Sequence, residues 1–408
     1  MHPLEKAYSP LNIGPITLRN RFIKSAANEA MSIKGVPTKA LVQHHSDLAE
    51  GGVGMTTVAY MAVTKRGRTL PDQIWMKEDI GSDLRAITDS VHQHGGAVSA
   101  QLTHGGAFVT GMFVPGRTIS SVSGLNPGGF MKGNLLTRAM KQKDMDTVTD
   151  QFVNAALFAV ECGFDAVELH MGHGYLLNQF ISPLSNTRND KFGGSAENRV
   201  KFPSRVLAAV KNAVGSRAAI LAKINVADGH KRGATAEDAA ITAQSLCKAG
   251  ADMLVLSGGR NIESTWFMFG SNMNLKAMED VLGRRSLSAF MIKQASKFAP
   301  KVEFKDMYFM KYSKMVRRAV DIPLAYLGGV RSAANVKEAM EEGFDAVALA
   351  RPLLREPGLV NKWEADPTAE SLCDNCNSCI AYIYHKDGTR CVYRPKNNPA
   401  LNLARAVG

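Results

Sequence analysis

Three features of the sequence predict an α/β fold closed into a (β/α)₈ TIM barrel. A helix-Gly-strand junction recurs along the chain, eight short apolar runs alternate with helical segments, and 408 residues leave ample room for insertions around a barrel of about 250 residues. The junctions lie at Ala49–Val58, Cys162–Leu169, Ala249–Leu256 and Glu342–Leu349. In each, a helix ends in Gly, which accepts the left-handed conformation that stops a helix, and a short apolar run follows, three times just after an Asp. Such a run reads as a strand buried on both faces, as in a parallel sheet.

Four further apolar runs, Phe22–Ala26, Ala97–Leu102, Ala219–Asn225 and Leu324–Leu327, complete eight strands. Helices are expected near Lys39–Glu50, Ile80–His94, Asp146–Cys162, Ala196–Val214, Ala236–Ala249, Tyr312–Val320 and Ser332–Glu342. Strict alternation favours a closed barrel, with an open doubly wound sheet as the alternative. Two connections exceed ordinary loops: Thr103–Met145, rich in Gly, Pro and Ser after the third strand, and Gly258–Lys311 after the sixth. Long connections in compact domains often form lids or binding loops. The organisation expected is a barrel over residues 1–355 and a C-terminal extension over 356–408 that carries four of the six Cys.

Composition narrows the function classes. Hydrophobic residues make up 45% and charged residues 21%, the balance of a globular protein. The net charge of +12 is spread in single residues and pairs such as Arg284-Arg285. A solvated basic surface or a small phosphorylated ligand accounts for it better than nucleic acid does. The N-terminus carries no secretory apolar region and no apolar run reaches about 18 residues. The expectation is therefore a cytoplasmic protein with no membrane partner, whose Cys are thiols or metal ligands rather than disulfides.

Candidate chemistry concentrates between Phe164 and Arg199, where His170 ends the fourth strand and His173 and Tyr175 follow in one loop. Barrel active sites lie at the C-terminal ends of the strands. Two imidazoles can donate N–H bonds to a substrate oxygen, and a phenol of reference pKa about 10 keeps its proton at neutral pH to serve as an acid. The same stretch continues with Ser182-Pro-Leu-Ser-Asn186 and Gly193-Gly-Ser-Ala-Glu-Asn-Arg199.

This segment resembles the Old Yellow Enzyme family of FMN-dependent NAD(P)H oxidoreductases, the ene-reductases. The resemblance implies that His170 and His173 hold a substrate carbonyl oxygen and that Tyr175 protonates the substrate. Leu18–Asn28 resembles the family's first strand, which points to Ser25, Ala26 and Asn28 beside the flavin. For Asn28, a turn cap is the competing reading. Ala97–Thr103 resembles the third strand, where Gln101 would hold the flavin pyrimidine edge. In Leu221–Asn225, Lys223 stands where many relatives carry Arg, a cation that stabilises negative charge on the reduced flavin. The phosphate site is implied at Gly328, Gly329, Ala350 and Arg351, on the loops after strands seven and eight. Two departures bear on substrate range: Tyr60 replaces a small residue beside the flavin, and the loop at His104 lacks an Arg often found there.

Cys373, Cys376, Cys379 and Cys391 have spacing that suits tetrahedral zinc or an iron–sulfur cluster. Larger relatives such as dienoyl-CoA reductases bind a [4Fe–4S] cluster with similar cysteines, but their third gap is typically one residue longer. They also carry extra nucleotide-binding domains, and no Gly-x-Gly-x-x-Gly follows a strand here. Free thiols are the remaining reading. The activity implied is reduction of the C=C bond of an enone or enal by hydride from flavin N5, with NAD(P)H as donor. An iron–sulfur dienoyl-CoA or amine oxidoreductase and an FMN-binding sensor are the alternatives. The sequence leaves the oligomeric state, homo-oligomer or monomer, open.

Overall fold

The computed structural model describes residues 2–114 and 116–394. Eight parallel strands close in sequence order around a barrel. They are β1 (Phe22–Lys24), β2 (Met55–Ala62), β3 (Ala97–Thr103), β4 (Ala166–Met171), β5 (Ala219–Asn225), β6 (Met253–Ser257), β7 (Leu324–Leu327) and β8 (Ala346–Leu349). The helices between them are α1 (Lys39–Glu50), α2 (Gly81–His92), α3 (Gln142–Glu161), α4 (Ala196–Val214), α5 (Ala236–Lys248), α6 (Met310–Ala319) and α7 (Ala333–Glu341).

The recurring Gly-Asp junction has a physical explanation. Gly163, Gly250 and Gly343 take φ of 89°, 97° and 86°, the left-handed turn that ends each helix. The Asp after each Gly then reaches the entry of the preceding strand. Asp165, Asp252 and Asp345 carboxylates accept from the backbone N–H of Val98, Ile220 and Leu324 at 2.8, 2.7 and 3.0 Å. The motif thus pins neighbouring strands together at the bottom of the barrel.

All residues of β4, β5 and β6 are buried, so polarity does not alternate along them. Outward-facing Val167, Leu169, Met171, Ile220, Ala222 and Ile224 join the core shared with the helices. Inward-facing Ala166, Ala219, Leu221, Met253, Val255, Ala325 and Ala346 fill the lower barrel. An N-terminal hairpin, Leu11–Ile13 with Ile16–Leu18, plugs that end with Leu11, Ile13 and Leu18. The packed lower layers leave the upper barrel for polar residues.

Both long connections build structure above the barrel. The first holds a small sheet of Arg117–Ser120, Gly124–Leu125 and Leu136–Ala139. The second holds helices Thr265–Phe269, Leu275–Leu282 and Leu287–Ser296. The C-terminal segment shares the barrel's core: in helix Leu359–Ala365, Leu359, Val360 and Trp363 are buried, with Trp363 6.2 Å from the ring of Phe22. Thr389 then crosses the mouth, its N–H and hydroxyl donating to the carbonyls of Glu29 and Asn28, each at 2.8 Å. Among the described residues, no helix is long and apolar enough to cross a membrane.

Candidate active site

A cavity of about 300 Å³ opens at the C-terminal ends of the strands. Ser25, Ala26 and Asn28 after β1, Tyr60 in β2, Gln101 in β3 and Lys223 in β5 line it. So do His170, His173 and Tyr175 at and after β4, Gly328 and Gly329 after β7, and Ala350 and Arg351 after β8. Residues from seven strand ends therefore meet in one space, as the strand assignments require.

Register sets the polar floor. Glu168 pairs across the sheet with Gln101, and His170 with Lys223. Gln101 Nε2 donates to Glu168 Oε1 at 2.6 Å. The Gln101 amide nitrogen thus faces Glu168, and its oxygen is left for the cavity. Lys223 Nζ lies 3.5 Å from Glu168 and donates to Ser25 Oγ at 3.0 Å and the Ala26 carbonyl at 3.1 Å. Burial pushes the Lys223 pKa down, and the Glu168 carboxylate opposes that shift. A second buried pair, Lys24 with Glu29, sits beside it, with Glu29 also accepting from Ala59 N–H at 2.9 Å. Sequence reasoning missed Glu168, Lys24 and Glu29. The available signal was a charged side chain inside an otherwise apolar strand at Glu168 and Lys24.

The catalytic candidates form one aromatic cluster. The ring of His170 lies 5.0 Å from that of His173 and 4.7 Å from that of Tyr175. The Gly172 N–H donates to His170 Nδ1 at 3.2 Å, which makes Nε2 the protonated nitrogen. His173 stands at φ 59°, with its carbonyl held by Asn261 at 2.9 Å and its Nε2 2.8 Å from Ser257 Oγ. Burial drives both histidines down, His170 well below its ordinary value and His173 to about 3, and Lys223 adds to both shifts. Both rings are thus neutral at physiological pH, each with one N–H to donate. Burial raises the Tyr175 phenol well above its ordinary value, helped by Tyr60, so it holds its proton. Tyr60 stacks 5.3 Å from Tyr175 and shares a 2.6 Å hydrogen bond with Thr69. Phe108, Lys132, Ser257, Asn261 and Tyr384 also line the cavity and lay outside the sequence reading.

At the other end, Gly328 and Gly329 have φ of 128° and 82°. A Cβ would come within 2.7 Å of the Phe309 ring at Gly328 and of the Met307 backbone nitrogen at Gly329, so the close backbone turn requires glycine. Arg351 donates to Asn377 and to the Phe269 carbonyl at 3.0 Å. Asn28 accepts from the Ala30 N–H at 3.0 Å, a local turn bond, while still lining the cavity. This donor set fits FMN. The free Gln101 oxygen suits the N3–H of a flavin ring, Lys223 suits its O2 side, and the glycine turn with Arg351 suits a phosphate.

Cys373, Cys376, Cys379 and Cys391 surround a second, smaller cavity of about 20 Å³ together with Arg351 and Arg355, and Cys379 also lines the large cavity. None is in a disulfide. The four thiols line one space but do not form the shared ligand set expected from the sequence. Among the described residues, no three His, Cys, Asp or Glu side chains are gathered as a set that could hold a metal ion. Burial raises the Cys379 thiol to about 12. Four soft sulfur donors around one space nevertheless suit zinc or iron in their chemistry.

Barrel, cavity and donor arrangement together define an oxidoreductase built to hold a flavin at the barrel mouth. Residues 6–266 match the family model of the NADH:flavin oxidoreductase / NADH oxidase family. The chain belongs to that family, the one that contains the old yellow enzymes. It is 37% identical, over 96% of both chains, to a 4,4'-dithiodibutanoate disulfide reductase of Rhodococcus erythropolis. It is 27% identical to an NADPH dehydrogenase of Geobacillus thermodenitrificans, covering 86% of this chain and 91% of that one. Among solved structures, an old yellow enzyme homologue from Zymomonas mobilis superposes with a TM-score of 0.70 at 19% identity, covering 98% of this chain and 99% of that one. A 2-naphthoyl-CoA reductase complex superposes with a TM-score of 0.80 at 18% identity, covering 98% of this chain. The chain spans about half the length of such larger structures, 58% of that reductase and 48% of a histamine dehydrogenase from Rhizobium. Family membership implies FMN as cofactor and NAD(P)H as electron donor.

Proposed function

We propose that this chain is an FMN-dependent NAD(P)H oxidoreductase that reduces the C=C bond of α,β-unsaturated carbonyl compounds. The observation that carries this reading is the cluster of two neutral imidazoles and one protonated phenol around a single cavity wall. Bound FMN would supply the hydride chemistry, drawing electrons from the nicotinamide. The chain's own residues do the rest. His170 Nε2–H and, with its Nε2 accepting from the Ser257 hydroxyl, His173 Nδ1–H donate to the carbonyl oxygen, where negative charge grows as the alkene is reduced. A neutral donor suits this task, because each ring arrives already carrying the proton it shares. Tyr175 delivers its proton to the carbon next to the carbonyl. Tyr60 and Phe108, with ring centroids 5.3 and 6.1 Å from Tyr175, hold the phenol in place and keep water from it.

A second reading rests on the 37% identity to a disulfide reductase. The same donors could serve a disulfide, with Tyr175 protonating the departing thiolate. Anaerobic half-reactions test both readings. NAD(P)H should bleach the bound flavin, and cyclohexenone should restore its colour in the wild type. Restoration by a dialkyl disulfide and not by enones would replace the first reading with the second. Protein that takes up no FMN would reject both.

A further inference from the structure

Four cations line the cavity, and three already have an assignment. Lys24 is paired with Glu29, Lys223 with Glu168, and Arg351 stands at the phosphate end. Lys132 differs. The insertion after β3 carries it to the cavity on the 3₁₀ turn Pro127–Lys132, which ends at Gly133 with φ 79°. Its ammonium donates to the Thr69 carbonyl at 2.6 Å and lies 4.3 Å over the centre of the Phe108 ring. No ion pair joins it to a carboxylate among the described residues. An ammonium has three donors, and a single carbonyl uses one.

Its surroundings put it at the substrate end. Phe108, under the ammonium, is an edge-on neighbour of Tyr175 at 6.1 Å. Thr69, its hydrogen-bond partner, also holds the Tyr60 hydroxyl at 2.6 Å. Lys132 is thus one residue removed from the proton donor through Phe108, and two through Thr69 and Tyr60. Burial lowers its pKa to about 8, so the ammonium is destabilised where it stands and gains from any anion that joins it.

We propose that Lys132 forms a carboxylate subsite, so that the preferred substrates carry a carboxylate in addition to the group being reduced. This rests on the proposed reductase reading and narrows its substrate class. The other source of an anion is the phosphate of NADPH. The seat of Lys132 on Phe108, itself the edge-on neighbour of Tyr175, puts the cation beside the proton donor and favours the small carboxylate over a nucleotide.

The test uses the full FMN-loaded chain and its Lys132→Met and Lys132→Arg variants. Turnover of trans-4-oxo-2-pentenoate is compared with that of its methyl ester, which lacks the charge. The acid-to-ester ratio of kcat/KM should fall about 10- to 100-fold in Lys132→Met, the loss expected for one hydrogen bond to a charged group. Lys132→Arg should restore most of it. An unchanged ratio overturns the proposal. So does a loss of NADPH affinity with the ratio intact, since the anion would then be the nucleotide's. Binding of the saturated acid 4-oxopentanoate, followed through the flavin spectrum, separates this proposal from the one beneath it. Lys132-dependent binding without turnover of either alkene would sink the ene-reductase reading and leave the subsite standing. Lys132-independent binding would sink the subsite alone.

Discussion

Replacing Glu168 by Gln tests the floor of the site. Glu168 and Lys223 are 2% and 1% exposed and 3.5 Å apart. Glu168→Gln keeps the shape of the side chain, and Gln101 Nε2 can still donate to the new amide oxygen. What is lost is the negative charge, leaving Lys223 with only the Ser25 hydroxyl and the Ala26 carbonyl as acceptors. Removing one partner of a buried pair typically costs about 3–5 kcal/mol. The lower figure is expected here, because those two neutral acceptors remain, and it corresponds to roughly a hundredfold in the folding equilibrium. Lys223→Met should cost a similar amount for the opposite reason, a stranded carboxylate. The double variant should be far less damaged than the sum, since no charge is then left unpaired. Urea unfolding of apo-protein, followed by fluorescence and circular dichroism, measures all three. Additive losses, or a single-variant loss below about 0.5 kcal/mol, would refute the pairing as the force that holds the floor.

Further outcomes follow from the same geometry. Arg351→Ala should weaken FMN retention by about 1.5–3 kcal/mol, read as flavin fluorescence released on dilution, and unchanged retention would move the phosphate site elsewhere. Tyr175→Phe should slow flavin reoxidation by an enone about 10²-fold or more while NAD(P)H still reduces the flavin, and equal enone rates would remove Tyr175 from the reaction. Acid should destabilise the fold. His104 is buried with its pKa lowered from 6.5 to about 4, so between those values the unfolded chain binds a proton that the folded chain refuses. Its contribution is whole above pH 6.5 and lost as pH falls towards 4, up to about 3 kcal/mol, and a melting temperature flat across that window would contradict it. For the cysteine cavity, whose thiols are not gathered as a ligand set among the described residues, all four should label freely in native, anaerobically purified protein; about four irons with matching sulfide, or about one zinc per chain, would show instead that a metal draws them together.

Much of the barrel was legible because its punctuation is chemical. Gly ends the helices and Asp ties the next turn to the neighbouring strand, so the strand starts are written in single residues. The helices Lys39–Glu50 and Ala196–Val214 have the expected bounds. Many cavity-lining residues were legible because they sit at strand ends, which a parallel barrel sends to one mouth, although Lys24 and Ser257, the last residues of β1 and β6, were not. Glu168 was not, because both faces of β4 are buried and no alternation marks which residues point inward. The small sheet in the insertion after β3 was also hidden. Its central strand Leu136–Ala139 pairs with Arg117–Ser120, and that pairing, rather than local propensity, selects the conformation. Lys132 and Tyr384 escaped for a related reason. Each reaches the cavity from a segment without periodic pattern, where long-range packing determines which side chain turns inward.

The distribution of charge fits the two ends of one cavity to the two different anions proposed for them. In its middle, each lysine is paired with a buried carboxylate, Lys24 with Glu29 and Lys223 with Glu168. Unbalanced positive charge is left at the ends. Arg351 holds one, oriented by Asn377 and the Phe269 carbonyl, and Asn377 is itself tied to Ser271 Oγ and the Asn272 carbonyl at 2.9 Å each. That chain of bonds joins the turn after β8, the insertion after β6 and the C-terminal segment, so the end proposed for phosphate is braced by the protein's own contacts, which lowers the cost of binding. Cys379 lines this end of the cavity as well as the cysteine cavity, which makes the C-terminal segment part of the flavin site's wall. Lys132 holds the other end, on the 3₁₀ turn Pro127–Lys132 of the insertion after β3. An anchored cation suits a cofactor that stays, and a cation on a loop suits a substrate that must leave after each turnover.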